Sequence, residues 1–151
     1  MKRVSIVAAV SVAILAIAAF VVRGQAQDDK TAITVYKSPT CGCCAKWVSH
    51  LEANGFKVTT TDMPNVNPMK QRLGVPQQLS SCHTAVVGGY VVEGHVPADV
   101  IRKMLEEKPA VVGIAVPGMP IGSPGMEGPN PQKYDVIAFT KNGEQEVFAS
   151  R

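Results

Sequence analysis

Three cysteines stand within four positions, Cys41, Cys43 and Cys44, and the fourth in the chain, Cys82, follows far downstream. A thiol acts as a nucleophile or a metal ligand only as the thiolate, so its surroundings decide its chemistry. The triplet follows a β-rich run, Ile33 to Tyr36, and a Ser38-Pro39-Thr40 turn, and it precedes an amphipathic pattern through Trp47, Val48 and Leu51. The sulfurs therefore belong at or just before a helix N-terminus. Unpaired backbone N–H groups and the helix dipole favour the thiolate there.

An even cysteine count in an oxidising compartment ordinarily means structural disulfides. The spacing argues otherwise, because adjacent Cys43 and Cys44 cannot bridge without strain, and three cysteines in four residues staple almost nothing. One exchangeable pair, Cys41 with Cys44, leaves Cys43 surplus, and a surplus thiol invites wrong pairing. Closely spaced sulfurs beyond two are better explained by bridging several copper ions, since thiolate and thioether suit Cu(I) and imidazole suits several late transition metals. Met119 and Met126 lie in a Gly/Pro-rich loop where no apolar periodicity demands them. His83 adjoins Cys82, and His95 follows Glu93-Gly94 at the end of a strand pattern. The candidate ligands are thus Cys41, Cys43, Cys44, Cys82, His83, His95, Met119 and Met126, with His50 and Met63 in reserve. Met104 falls on an apolar helix face and reads as core, and Trp47 reads as packing the first helix onto the sheet.

The elements that must position these residues follow in order. Ile33–Tyr36 is a strand, Cys43–Asn54 a helix ended at Asn54-Gly55, and Phe56–Thr61 a second strand. Asn67–Leu73 is a short helix with Asn67 as its cap and Pro68 at its first position. A loop runs from Gly74 to His83, then Thr84–Val87 and Tyr90–Glu93 flank Gly88-Gly89, a hairpin signal. Pro97–Glu107 is an amphipathic helix with Val100, Ile101, Met104 and Leu105 on one face. Ala110–Val116 is small and apolar, and the segment from Pro117 to Pro129 is a loop without regular structure. Tyr134–Thr140 and Gln145–Phe148 close the chain as a hairpin over Lys141-Asn142-Gly143. This β-α-β … β-β-α order is that of a thioredoxin-like α/β domain, a mixed central sheet flanked by helices, here with a Gly/Pro–Met loop and a C-terminal β-hairpin. In that fold Cys82 falls where a cis-proline usually faces the redox motif, opposite the early triplet.

The 151 residues suit one domain. Residues 1–26 read as a signal peptide or an N-terminal membrane anchor: Met1-Lys2-Arg3 is basic, Val4 to Val22 is apolar apart from two serines, and Gly24-Gln25-Ala26 fits a cleavage site. Residues 27–32 are a flexible lead-in and 33–151 the domain. Either reading of the start places the domain outside the cytoplasm, in the periplasm, with a membrane partner only through an uncleaved N-terminal segment. Lys2, Arg3 and Arg23 carry the net charge of +3, and twelve basic residues face twelve acidic ones in the remainder. With no basic stripe, nucleic acid is excluded as a partner.

Five segments in order carry a resemblance: Tyr36 to Trp47, Leu73-Gly74-Val75-Pro76, Ser81 to Ala85, Tyr90 to Pro97, and Pro117 to Pro120 with Gly122 to Met126. Together they resemble the CopG-type periplasmic copper-resistance proteins, long catalogued as a metal-binding domain of unknown function, over about Ile33 to Phe148. The resemblance implies a thioredoxin-like fold, copper bound by the Cys-x-Cys-Cys motif and the later cysteine, and a role in copper tolerance, with Cu(I)/Cu(II) conversion suggested. It implies Cys41, Cys43, Cys44 and Cys82 as thiolate ligands and Met119, Met126, His83 and His95 as supporting ones. Copper, as Cu(I) and in several ions per chain, is then the expected cargo, and other periplasmic copper-handling proteins are the expected partners. No residue is assigned a catalytic role. Two rivals stay open: a thiol–disulfide oxidoreductase using Cys41 and Cys44, and a structural module with ordinary disulfides.

Overall fold

The computed structural model describes residues 31–151. The signal peptide or anchor expected over 1–26, and most of the lead-in, lie outside the described residues. Strand β1 (Ala32–Lys37) leads through the cysteine turn into helix α1 (Gly42–Ala53), then strand β2 (Lys57–Asp62). Helix α2 (Asn67–Arg72) and a single 3-10 turn (Gln77–Leu79) precede the hairpin β3 (Thr84–Val87) and β4 (Tyr90–Glu93). Helix α3 (Ala98–Glu107) follows, then β5 (Gly113–Ala115), the Gly/Pro loop, β6 (Asp135–Phe139) and β7 (Gln145–Ser150).

All seven strands form one mixed sheet in the order β2-β1-β3-β4-β5-β6-β7. β1 is parallel to β2 and antiparallel to β3, and β4 is parallel to β5. The expected β-α-β … β-β-α order is present, and the closing hairpin extends the same sheet instead of standing apart. At the β3–β4 turn both Gly88 and Gly89 have positive φ, the backbone that a two-residue hairpin loop needs.

Successive side chains alternate across the sheet, and the apolar ones divide accordingly. One face carries Ile33, Val35, Ala85, Val92, Ile114 and Val136, covered by Trp47 and Leu51 of α1 and by Ile101 and Met104 of α3. The other carries Val91, Ala115 and Phe139, with Leu79, Leu73 and Val75 of the α2 and 3-10 segment packed beside them. Burying aromatic and branched side chains of this size contributes roughly 1.5–3 kcal/mol each.

One expectation is corrected, and one element is added. Asn67 does not cap α2: it is the first helical residue, Val66 holds the cap position, and the Asn65 side chain accepts the Asn67 N–H at 3.0 Å. The apolar stretch before the Gly/Pro loop contains a strand, β5, fully buried between β4 and β6. Three residues covered on both faces leave no polar–apolar alternation to read.

The register gathers the donor-bearing segments. Tyr36 pairs with Thr84, Thr84 with Glu93, and Glu93 with Ala115. The end of β1, the start of β3, the end of β4 and the end of β5 therefore meet at one end of the sheet. The cysteine turn, the Cys82 segment, His95 and the Gly/Pro loop all leave from there.

Candidate metal centre

Cys41 occupies the N-cap position of α1, and its sulfur accepts the Cys44 N–H at 3.3 Å. No acidic residue lies in the first turn of the helix, so nothing there competes with a thiolate for the positive end of the dipole. Cys43 Sγ lies 3.5 Å from Cys41 Sγ and 3.9 Å from Cys82 Sγ. The sulfurs of all four cysteines fall within 4.8 Å of one another. The distant fourth cysteine thus joins the early triplet.

Cys41 and Cys44 are joined as a disulfide, while Cys43 and Cys82 are free. This differs from the expected set of four thiolates. The 3.3 Å contact from Cys44 N–H to Cys41 Sγ spans one helical turn, and that turn brings the two side chains within bonding reach.

Cys82 is also the hub of a second group. Its sulfur lies 3.0 Å from His95 Nε2 and 3.3 Å from His83 Nδ1. His95 Nδ1 sits 2.8 Å from the Pro124 carbonyl, which can only accept, so Nδ1 carries the proton and the Nε2 lone pair faces Cys82. His83 is fully buried, stacked against Trp47 with ring centroids 4.3 Å apart and edge-on to His95 at 4.9 Å. Its Nε2 has no hydrogen-bond partner.

The electrostatics agree with this burial. Cys82 is pushed up to about 12 by burial and by neighbouring Cys43, so without a cation it keeps its proton. His83 is held well below the usual imidazole range by burial, then by His95 and Lys70. His95 is lowered by burial, against which the Pro124 carbonyl pulls upward. Two neutral imidazoles and a thiol that only a cation would deprotonate form a donor set suited to a late transition metal.

The Gly/Pro loop closes over the site at Gly125. A Cβ there would come within 2.7 Å of the Cys43 carbonyl, 2.9 Å of Trp47 N and 3.3 Å of His95 Nδ1, and φ is +85°. Only glycine fits both the space and the backbone conformation. Met126 then faces Cys43 and Lys46 across an open cavity of about 400 Å³. The carbonyl of Gly118 receives the Ser81 hydroxyl, tying the loop to the Cys82 segment. Met119, next along, is 52% exposed. Of the expected donors, Cys41, Cys43, Cys44, Cys82, His83 and His95 are brought together, Met126 borders them, and Met119 stands at the surface.

The reserve candidates lie elsewhere. His50 Nε2 accepts the Ala98 N–H at 3.2 Å and so caps α3. Met63 is half-buried beyond the end of β2. Trp47 packs as expected, and its indole N–H donates to the Val96 carbonyl at 2.8 Å.

One positioning pair escaped sequence reasoning. Glu93, fully buried, accepts from Lys70 Nζ at 2.5 Å and from the Ser81 N–H at 2.6 Å. It fixes the segment that carries Cys82. The signal available was a lone glutamate ending an apolar strand. Burial raises the carboxyl, and the Lys70 ammonium opposes that rise.

Comparison with known proteins then decides the family. Two solved structures, both titled copper resistance protein CopG (form 1 and form 2), are each 50% identical to the chain with a TM-score of 0.75. Each covers 80% of this chain, which in turn covers 97% of form 2 and 96% of form 1. The chain belongs to the CopG family. A family model described as a protein of unknown function, DUF411, matches residues 79–126. Those residues run from the 3-10 turn through the Cys82 segment, β3, β4, α3 and β5 to Met126. No curated protein matches the chain. This CopG-family chain has the mixed α/β architecture expected, and among the described residues no helix is long and apolar enough to cross a membrane.

Proposed function

We propose that this protein is a periplasmic copper-binding protein of copper resistance, with Cu(I) as its cargo. The observation that carries the reading is the convergence of four cysteine sulfurs, from two separate segments, within 4.8 Å of one another. Thiolates so close together bridge soft ions instead of holding one ion apiece, which favours a small Cu(I)–thiolate cluster on Cys41, Cys43, Cys44 and Cys82. His83, His95 and Met126 would support it. Met119 would join only by turning inward from the surface. The titles of the two similar structures speak for copper resistance in those proteins and lend the same role to this one.

The chain's own residues prepare the site in three ways. The α1 N-terminus stabilises thiolate charge. The Pro124 carbonyl fixes the His95 tautomer, the usual outer support of a metal-bound imidazole. The loop at Gly125 covers the buried side. Copper bound there would supply a Cu(I)/Cu(II) couple.

Anaerobic Cu(I) titration of the fully reduced protein tests the reading, with X-ray absorption to count sulfur and nitrogen neighbours. More than one ion per chain in a sulfur-dominated shell is expected. Saturation at zero ions would sink it. A second reading, thiol–disulfide exchange, is favoured specifically by the Cys41–Cys44 bridge. Insulin reduction by the metal-free protein, at a rate indifferent to Cys43→Ser and Cys82→Ser, would favour that enzyme instead.

A further inference from the structure

Two potential ligand groups meet in this protein, and Cys82 belongs to both. One consists of the four cysteines. The other consists of Cys82 Sγ and the ring nitrogens of His83 and His95, again within 4.8 Å of one another. The bridge affects them unequally. A disulfide sulfur bears no thiolate charge and is a poor ligand, so bonding Cys41 to Cys44 removes half of the first group. It touches none of the second, whose members come from the β3 and β4 ends of the sheet and not from α1.

We propose that the Cys41–Cys44 bridge switches this site between two donor sets that share Cys82: a sulfur-rich set for several Cu(I) ions when the pair is reduced, and a Cys82–His83–His95 set for one divalent late transition metal when it is bonded. The inference rests on the copper-binding reading and states how that site is regulated.

Three observations support the second set. Its composition, one thiolate and two imidazoles, is harder than four thiolates and suits divalent ions such as Cu(II), Co(II) or Zn(II). Its geometry is already fixed, since Pro124 sets the His95 tautomer and Trp47 pins the His83 ring. His83 is fully buried and holds Nδ1 3.3 Å from Cys82 Sγ, which puts a second imidazole nitrogen beside the shared sulfur.

The switching step is thiol–disulfide exchange with a small disulfide as oxidant. The thiols of Cys41 and Cys44 give up two protons and two electrons and form their S–S bond. The oxidant's S–S bond breaks, taking both protons and both electrons to become two thiols. A dithiol reductant runs the same exchange backwards. No other co-reactant is needed.

The test uses the full chain in two forms. One is reduced, with four alkylatable thiols. The other is oxidised with glutathione disulfide, its Cys41–Cys44 bridge and two free thiols verified by mass spectrometry. Co(II), which does not oxidise thiols, probes the bridged form, and Cu(I) probes the reduced one. The bridged protein is expected to bind one Co(II) per chain with thiolate-to-Co(II) charge-transfer absorption. Cys82→Ser should abolish that absorption, and His95→Gln should weaken binding at least tenfold. The near-isosteric Cys82→Ser decides the matter, with circular dichroism reporting whether the more buried His95→Gln variant has kept its fold. Cu(I) uptake by the reduced protein without any Co(II) band in the bridged one overturns the switch and leaves the copper reading standing. A Co(II) band that survives Cys82→Ser also overturns the switch. Failure of the reduced protein to take up Cu(I) overturns the copper reading and the switch with it.

Discussion

Cys43 is the residue that separates a metal cluster from a redox pair, because the bridge uses its two neighbours in the motif and leaves it free. Cys43→Ser is expected to lower the Cu(I) bound per reduced chain, as metal analysis after anaerobic loading would show; unchanged copper would count against a cluster. His50 has a different task. As the acceptor for Ala98 N–H it must be neutral, and burial lowers it from the usual imidazole value, against upward pulls from Glu127 and Asp99. The unfolded chain therefore takes the proton first. The stabilising contribution of His50 is fully present above about pH 6.5 and is lost as pH falls toward the lower folded value. The Tm of the wild type should exceed that of His50→Ala at pH 8, and the gap should narrow toward pH 5. A gap independent of pH would refute the capping role.

At the level of elements, the site depends on two supports, one ion pair and one loop. The Lys70–Glu93 pair joins α2 to β4 and holds the Ser81 N–H. Glu93→Ala leaves Lys70 charged and buried without its partner, which costs about 3–5 kcal/mol; urea unfolding would measure it. The Gly/Pro loop depends on Gly125. Gly125→Ala adds a left-handed backbone cost of about 1–2 kcal/mol to a contact with Cys43 and Trp47 backbone atoms that cannot yield. The loop should lift, and limited proteolysis between Pro117 and Pro129 should speed up. Most of this level was legible in the residues. Turn glycines, the amphipathic α3 pattern and the Ser-Pro-Thr turn are local signals, and they located β1, α1, the β3–β4 hairpin and α3 to within a residue or two at each end. The convergence of Cys82 on the triplet followed from the order of elements. Three features were not legible. β5 is too short and too buried to show alternation. The Asn65 side chain acts from two residues before the helix, and Asn67-Pro68 imitates a cap signal. The Lys70–Glu93 pair is a contact between residues whose spacing carries no period. The Cys41–Cys44 pair was legible from its spacing as exchangeable, whereas its bonding depends on redox state as well as on sequence.

Across the whole molecule, the bridge contributes little to folding. It closes a loop of only a few residues, three apart in sequence, for which chain entropy predicts about 2 kcal/mol. The apolar layers under α1 and α3 hold the sheet together without it. Urea unfolding with and without reductant should therefore differ by no more than about 2 kcal/mol. Loss of cooperative folding on reduction would show that the bridge is architectural, contrary to the proposed switch.

The chain contains a single tryptophan, and its indole ring packs at a tilt of 39° against the imidazole of His83, with centroids 4.3 Å apart. Excited at wavelengths that the three tyrosines do not absorb, the protein emits from one lamp placed beside the candidate ligands. Any ion that settles there, or any proton taken up by that imidazole, should dim or shift the glow. Occupancy can then be followed without labels, in a stopped-flow cuvette as readily as at equilibrium.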